Sequence, residues 1–340
     1  MKGVVYLGES EVEVREFDQP EPGPGQVVIE SKIGGLCGSD LHKYHSSREW
    51  ASEREGMISG HEPTGVVAEV GQGVTNVKVG DRVTVYHRTG CGHCPDCYSG
   101  MPAHCQIAGG AFGRTQDGSH ADFMLSEARY CLPLPDAISF EVGTQLACTA
   151  GTSFSAISKV SAHAGEPVLV FGLGPVGLTA YLYALGMGYD AIGVDIHPYR
   201  IDLANRIGSG TVIDASTDDP VSAVNDLTKG KGVRGVVECS GSDAARSQAG
   251  SVAGRGATLV YVGSGKPEFS ANVGWLIGKG ITIKGNSVYS YTDYYAAVEF
   301  LQTHDIPLDD IVTHRFKIED AVEAFNTFDA GDTGKVVFEW

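Results

Sequence analysis

The 340-residue sequence predicts an α/β protein built from a mostly β domain into which a doubly wound parallel sheet is inserted. Three observations carry this expectation. Up to about residue 150, apolar runs of strand length alternate with Gly and Pro punctuation. From there to about residue 285, apolar strands alternate with helical segments. The last six residues, Lys335-Val-Val-Phe-Glu-Trp340, return to the β pattern of the first part. One discontinuous domain is therefore expected over 1–150 and 286–340, and the inserted one over 151–285.

The elements follow in order. Met1-Lys-Gly-Val-Val-Tyr-Leu-Gly-Glu reads as a first strand, because it meets an acid too soon for a secretory signal. Strand signals recur at 26–30, 65–70 and 81–86. Helical periodicity first becomes persuasive at Phe154-Ser-Ala-Ile-Ser-Lys-Val. The inserted domain then offers strands at 168–171, 191–195, 211–213, 235–239, 258–262 and 281–284. Segments such as Pro198-Tyr-Arg-Ile-Asp-Leu-Ala-Asn-Arg-Ile supply its crossovers. Two amphipathic helices, around 294–301 and 318–325, precede the final strand.

Composition narrows the function. Hydrophobic content of 42% and charged content of 20% suit a soluble globular chain with a sizeable core. No run approaches the length of a membrane helix. A formal charge of −17 repels nucleic acid and anionic membrane alike, so neither is an expected partner. Eight cysteines without a leader point to a reducing compartment, the cytoplasm, where thiols serve metals.

Four of those thiols stand in Cys91-Gly-His-Cys94-Pro-Asp-Cys97-Tyr-Ser-Gly-Met-Pro-Ala-His-Cys105. Short Cys-x-x-Cys steps let one backbone turn present successive sulfurs to a tetrahedral zinc, with about 2.3 Å per bond. A pair of disulfides is the competing reading. A second set is scattered: Cys37-Gly-Ser39-Asp40-Leu-His42, Gly60-His61-Glu62 and Gln145-Leu-Ala-Cys148. Ligands of the Cys, His, Cys kind leave one tetrahedral position open, as a catalytic zinc requires. Cys131 and Cys239 sit in apolar neighbourhoods and read as inert core thiols.

A third motif, Gly172-Leu-Gly174-Pro175-Val176-Gly177, follows the apolar run Val168-Leu-Val-Phe and opens a helical segment. That context turns a weak glycine pattern into a dinucleotide-binding turn, with pyrophosphate placed at the helix N-terminus. Asp195 ends the next strand 18 residues beyond Gly177, where its carboxylate suits the ribose hydroxyls of NAD and repels the extra phosphate of NADP. Arg200, five positions on, is the cation that could reverse this preference.

In this order, the Gly60-His61-Glu62 segment, the four-cysteine lobe and the Gly172–Gly177 turn resemble the zinc-containing medium-chain alcohol dehydrogenases over essentially the whole chain. The resemblance implies a GroES-like catalytic domain carrying two zincs and a Rossmann domain carrying NAD. It implies Cys37, His61 and Cys148 as catalytic zinc ligands, Glu62 as an acid that can join the metal, and Asp40 as the residue orienting His61. Cys91, Cys94, Cys97 and Cys105 would hold structural zinc. Ser39 would take the alcohol proton and pass it, through the cofactor ribose, to His42. Val262 and Lys335 complete the cofactor-binding candidates. The implied reaction is the interconversion of an alcohol with its ketone or aldehyde, in a homodimer or homotetramer. Polyol and threonine dehydrogenases of this superfamily often have glutamate where this chain has Cys148, which favours the alcohol-dehydrogenase branch. The charged stretch Tyr44-His-Ser-Ser-Arg-Glu-Trp-Ala-Ser-Glu-Arg-Glu-Gly-Met is expected either at the pocket mouth, favouring a polyhydroxy or charged substrate, or as a solvated loop.

Overall fold

The computed structural model describes residues 1–265 and 272–340, which group into two compact units. The first holds Met1–Thr149, Ser290–Tyr294 and Val312–Trp340; the second holds Ala150–Tyr289 and Tyr295–Ile311. Among the described residues, no helix is long and apolar enough to cross a membrane.

The first unit is organised by a seven-stranded sheet whose long central strand is Gln26–Gly35. Val27, Val28 and Ile29 are buried in succession, so this strand is covered on both faces there, and burial alternates only around Glu30–Ile33. Pro63–Val70 and Phe123–Glu127 pair antiparallel with it. Its last residues pair with the C-terminal strand Lys335–Glu339, where Val337 faces Gly35. The β pattern at the very end of the chain thus closes onto residue 35, which sets Lys335 beside the metal-ligand segment. Val4, Val12, Leu36, Tyr44, Phe325 and Phe338 form a core behind this seam. Burying each such side chain contributes about 1.5–3 kcal/mol.

Helices appear earlier than residue 154. Gly38–Tyr44, Arg48–Ser52 and Phe140–Ala147 are five to eight residues long, too short for a 3.6-residue period to declare itself. Local caps start two of them: the Ser47 hydroxyl accepts the Trp50 N–H and the Ser139 hydroxyl accepts the Val142 N–H. The charged stretch after Tyr44 is therefore partly helical rather than a plain loop. Within it the Arg54 guanidinium stacks 4.5 Å over the Trp50 ring.

The second unit is a six-stranded parallel sheet. Its spatial order is Thr211–Asp214, Asp190–Asp195, Pro167–Phe171, Val233–Glu238, Ala253–Tyr261 and Thr282–Gly285. The order reverses between Pro167–Phe171 and Val233–Glu238, and at the carboxyl ends of those strands a doubly wound sheet opens its ligand crevice. The strand cores are continuous apolar runs because helices cover both faces. Residues 295–311, expected with the first unit, group with this one. The Phe300 ring explains the difference, lying 5.7 Å from Phe154 and 5.9 Å from Tyr183.

Candidate active site

Cys37 caps the N-terminus of the helix Gly38–Tyr44, and its N–H donates to Asp40 Oδ2 at 3.0 Å. Ser39, Asp40 and His42 all belong to that helix. Its amphipathic character separates their environments: Asp40 is fully buried, whereas Ser39 and His42 are exposed. His61 lies two positions before the strand Pro63–Val70, and Cys148 closes the helix Phe140–Ala147. One ligand atom each from Cys37, His61, Glu62 and Cys148 lies within 4.8 Å of the others, and all four residues are buried. Residues spread over more than a hundred positions converge on one point.

Hydrogen bonding fixes which imidazole nitrogen is free to ligate. His61 Nδ1 lies 3.1 Å from Asp40 Oδ1 and donates its proton there, which leaves the Nε2 lone pair for a metal. Ser39 Oγ lies 3.3 Å from that Nε2. Burial resists the Asp40 charge, but His61 and Lys43 outweigh it and hold the carboxyl well below the usual carboxylate range. Burial likewise opposes a charged His61, yet Asp40 and Cys37 lift it to about 10. A metal at Nε2 replaces the second ring proton, so binding there releases a proton.

The thiols and Glu62 share a second network. The Cys37 thiol is lowered by its hydrogen bond from Cys148, against burial and with help from His61 and Lys335, so Cys37 is the thiolate of the pair. Glu62 Oε1 accepts the Thr149 hydroxyl at 3.2 Å, and Oε2 is ion-paired with the Lys335 ammonium. Burial raises Glu62 to about 7, against the pull of that ammonium. Lys335 is also buried, which lowers its affinity for a proton, but Glu62 and Cys37 more than restore it. Lys335 was expected on the cofactor. Its ammonium pairs with Glu62, because the antiparallel closure at Gly35 draws its strand into the first unit's core.

The cysteine lobe is built locally. Cys94 caps the short helix Pro95–Tyr98, and the ligand atoms of Cys91, Cys94, Cys97 and Cys105 cluster within the same 4.8 Å limit. The Cys91–Cys97 and Cys94–Cys105 sulfurs stand 4.0 and 3.8 Å apart. A tetrahedron with zinc–sulfur bonds of about 2.3 Å has edges of about 3.8 Å. Disulfides, at about 2.05 Å, do not fit these separations, and all eight cysteines are free. Backbone N–H groups of Cys91 and Ala108 reach Cys105 Sγ at 3.2 and 3.4 Å. Ala108 foremost, they lower its thiol to about 6, toward the thiolate a metal needs. Cys131 lies in the core, where burial pushes its thiol up to about 12. Burial raises Cys239 as well, although it is only partly covered.

In the second unit, Gly172 sits at φ 81° and hands the chain to the helix Pro175–Gly186, which has Pro175 at its first turn and no side-chain cap at Gly174. A Cβ on Gly177 would run into the Gly172 carbonyl, whereas a Cβ on Gly174 would meet only Arg200 Nη1, at 3.9 Å. The open space above Gly174 is the cradle a pyrophosphate needs, and Val176 and Gly177 continue the first turn beneath it. Asp195 Oδ2 accepts the Leu173 N–H at 2.5 Å, tying the strand end to the glycine turn. Its Oδ1 accepts the N–H groups of Ile196 and His197 at 2.7 and 2.9 Å. Val262 follows the strand Ala253–Tyr261, and its N–H donates to the Glu238 carbonyl.

Several residues of these networks were not singled out from sequence: Tyr6, Lys43, Thr149 and Glu238. Glu238 Oε1 gathers the N–H groups of Ser240 and Gly241 at 2.7 and 2.8 Å, at the carboxyl end of its strand. An acid ending an apolar run before Cys-Ser-Gly-Ser was its available signal. The Tyr6 and Thr149 contacts join distant segments and left no local mark, whereas Lys43 pairs with Asp40 one turn away in a helix too short to declare itself.

Residues 23–136 match the alcohol dehydrogenase GroES-like domain, and residues 175–303 match the zinc-binding dehydrogenase domain. The zinc-type alcohol dehydrogenase-like protein YphC of Escherichia coli is 37% identical over 98% of both chains. L-threonine 3-dehydrogenase of Pyrococcus abyssi is 36% identical over 96% of this chain and 94% of its own. The structure of the alcohol dehydrogenase of a Thermus species superposes with a TM-score of 0.91 at 26% identity, covering 100% of this chain and 99% of that one. By these matches and by its two domains, the chain belongs to the zinc-type alcohol dehydrogenases of the medium-chain dehydrogenase/reductase superfamily.

Proposed function

We propose that this protein is a zinc-dependent, NAD(H)-linked dehydrogenase that interconverts a secondary alcohol or polyol hydroxyl with its carbonyl. The observation that carries the reading is the buried convergence of Cys37, His61, Glu62 and Cys148 beside the exposed Ser39 hydroxyl. Cys37, His61 and Cys148 would hold the metal, while Glu62, paired with Lys335, stands within reach as a fourth ligand. When bound, zinc supplies Lewis-acid polarisation of the substrate oxygen and nicotinamide accepts the hydride from the alcohol carbon.

The chain's own residues perform the remaining tasks. Asp40 holds His61 in the tautomer that presents Nε2. The Ser39 hydroxyl, which can both donate and accept, takes the proton of the substrate hydroxyl. His42, three positions on in the same helix and exposed, is the group that exchanges this proton with solvent. Gly172, Gly174, Gly177 and the following helix seat the dinucleotide, with Asp195 at the ribose.

The substrate class rests on two supports. The name of the Pyrococcus relative specifies carbon 3 of threonine, a secondary alcohol carbon among polar groups. The other is the charged stretch after Tyr44, read as a polar pocket mouth, in which Glu53 and Arg54 pair at 3.1 Å beside Trp50. Steady-state kinetics with a panel of secondary alcohols, polyols and primary alcohols decide the matter. Activity confined to primary alcohols overturns the substrate class, and no oxidation with either nicotinamide cofactor overturns the function. NAD should exceed NADP at least about tenfold in kcat/KM, a discrimination of about 1.4 kcal/mol. Equal or reversed preference assigns cofactor choice to Arg200, which lies against the glycine turn.

A further inference from the structure

Asp40 has more partners than the orientation of one imidazole requires. Oδ2 accepts the Cys37 N–H at 3.0 Å. Oδ1 accepts from three directions: His61 Nδ1 at 3.1 Å, the Tyr6 hydroxyl at 3.0 Å and the Lys43 ammonium at 3.1 Å. Tyr6 comes from the first strand, Lys2–Gly8, and Lys43 from the last turn of the ligand helix. These two also touch each other, with Lys43 Nζ 5.9 Å from the centre of the Tyr6 ring. Lys43 retains only 13% of its side-chain exposure, although a lysine on a seven-residue helix could extend freely into water.

Folding the Lys43 stem inward costs side-chain entropy, and an ion pair at a wet surface returns little. Here the carboxylate is fully buried, so an unpaired charge would be expensive and each donor counts. The Tyr6 ring is itself braced by the edges of Phe325 at 5.8 Å and Trp50 at 6.4 Å, which aims its hydroxyl at Asp40. Burial and the Asp40 charge also push the Tyr6 phenol well above its ordinary value, so it remains a donor.

We propose that Tyr6 and Lys43 are positioning residues of the catalytic metal site, clamping Asp40 so that His61 offers Nε2 to the metal in one fixed orientation. The clamp joins the first strand to the ligand helix, so metal affinity depends on an element that supplies no ligand. It rests on the reading of Cys37, His61 and Cys148 as a metal site. Partners behind a metal-ligating histidine typically govern affinity by about 10–100-fold. Residues one step further out should act toward the lower end of that range.

The test uses the full-length protein loaded with zinc and titrated against a chromophoric chelator, with Co²⁺ replacement as a spectroscopic reporter. Tyr6→Phe and Lys43→Met should each weaken the Cys37 site by about tenfold. The four-cysteine lobe should keep its metal, and the visible Co²⁺ bands of the weakened site should shift. Lys43→Arg, which preserves the charge and a donor, should restore most of the affinity. Unchanged affinity in Tyr6→Phe and Lys43→Met, with wild-type protein holding metal at both sites, overturns the clamp alone. Parallel loss of metal from both sites together with thermal stability also overturns it, since that is how a general structural role behaves. Wild-type protein that binds metal only in the lobe removes the functional reading and the clamp together.

Discussion

At the scale of single residues, the two networks around the candidate metal centre divide the labour between orientation and charge. Asp40 orients, and Lys335 compensates charge where Cys37 and Glu62 crowd two acids into a buried space. Ser39 touches the orienting network only at His61 Nε2, 3.3 Å from its Oγ, and stays exposed. Ser39→Ala should therefore reduce kcat by about 10²-fold or more, the usual contribution of a positioned proton acceptor, while zinc content stays unchanged. Turnover within about twofold of wild type would mean that water carries the proton. His120 supplies a different test. It is fully buried between the Ser59 hydroxyl and the Gly35 carbonyl, and burial, foremost, lowers it to about 4. In the unfolded chain it titrates near 6.5. Between those values the unfolded state binds more protons, so stability is complete above pH 6.5 and declines as pH falls toward 4. Thermal unfolding across that window should lose about one proton of pH dependence in His120→Asn.

At the scale of elements, the lobe and the converging cluster differ in what holds them together. The lobe is a short helix and a few turns around four sulfurs, with little core of its own, so a metal bound there would contribute folding free energy directly. The converging cluster lies on elements already packed by the sheet and the core behind it. Cys94→Ser should lower the melting temperature by several degrees and release one zinc. Cys148→Ser should abolish turnover with only a small change in melting temperature. Calorimetry and metal analysis of both variants check this division, and equal loss of stability in the two contradicts it. The glycine turn adds an element-level expectation. Gly177→Ala sets a methyl against the Gly172 carbonyl, so dinucleotide binding should fall at least about tenfold in fluorescence titration while the lobe keeps its zinc.

At the scale of the whole molecule, the two candidate metal sites proposed for the chain would make bound ions a component of its stability. Zinc that binds only the folded state adds stability in proportion to the logarithm of its free concentration over Kd. Metal analysis of chelator-free protein should find two zinc ions per chain, and chelation should lower the melting temperature in a zinc-dependent way. One ion or none in freshly purified protein contradicts the two-site assignment. What the sequence alone determined is what spacing alone can encode. Cysteines with two, two and seven positions between neighbours were placed in one lobe, and a glycine turn between an apolar strand and a helix had the form of a dinucleotide-binding turn. The strands at 168–171 and 191–195 were legible too, being continuous apolar runs of strand length that the sheet buries on both faces. The short helices at Gly38–Tyr44 and Arg48–Ser52 were not, since one or two turns carry no period. Only tertiary structure decided that Lys335 faces Glu62, that Tyr6 reaches the Asp40–Lys43 pair, and that 295–311 pack with the second unit. Those contacts join segments up to about 270 positions apart, and such pairings are set by how sheets and cores close rather than by any period in the chain.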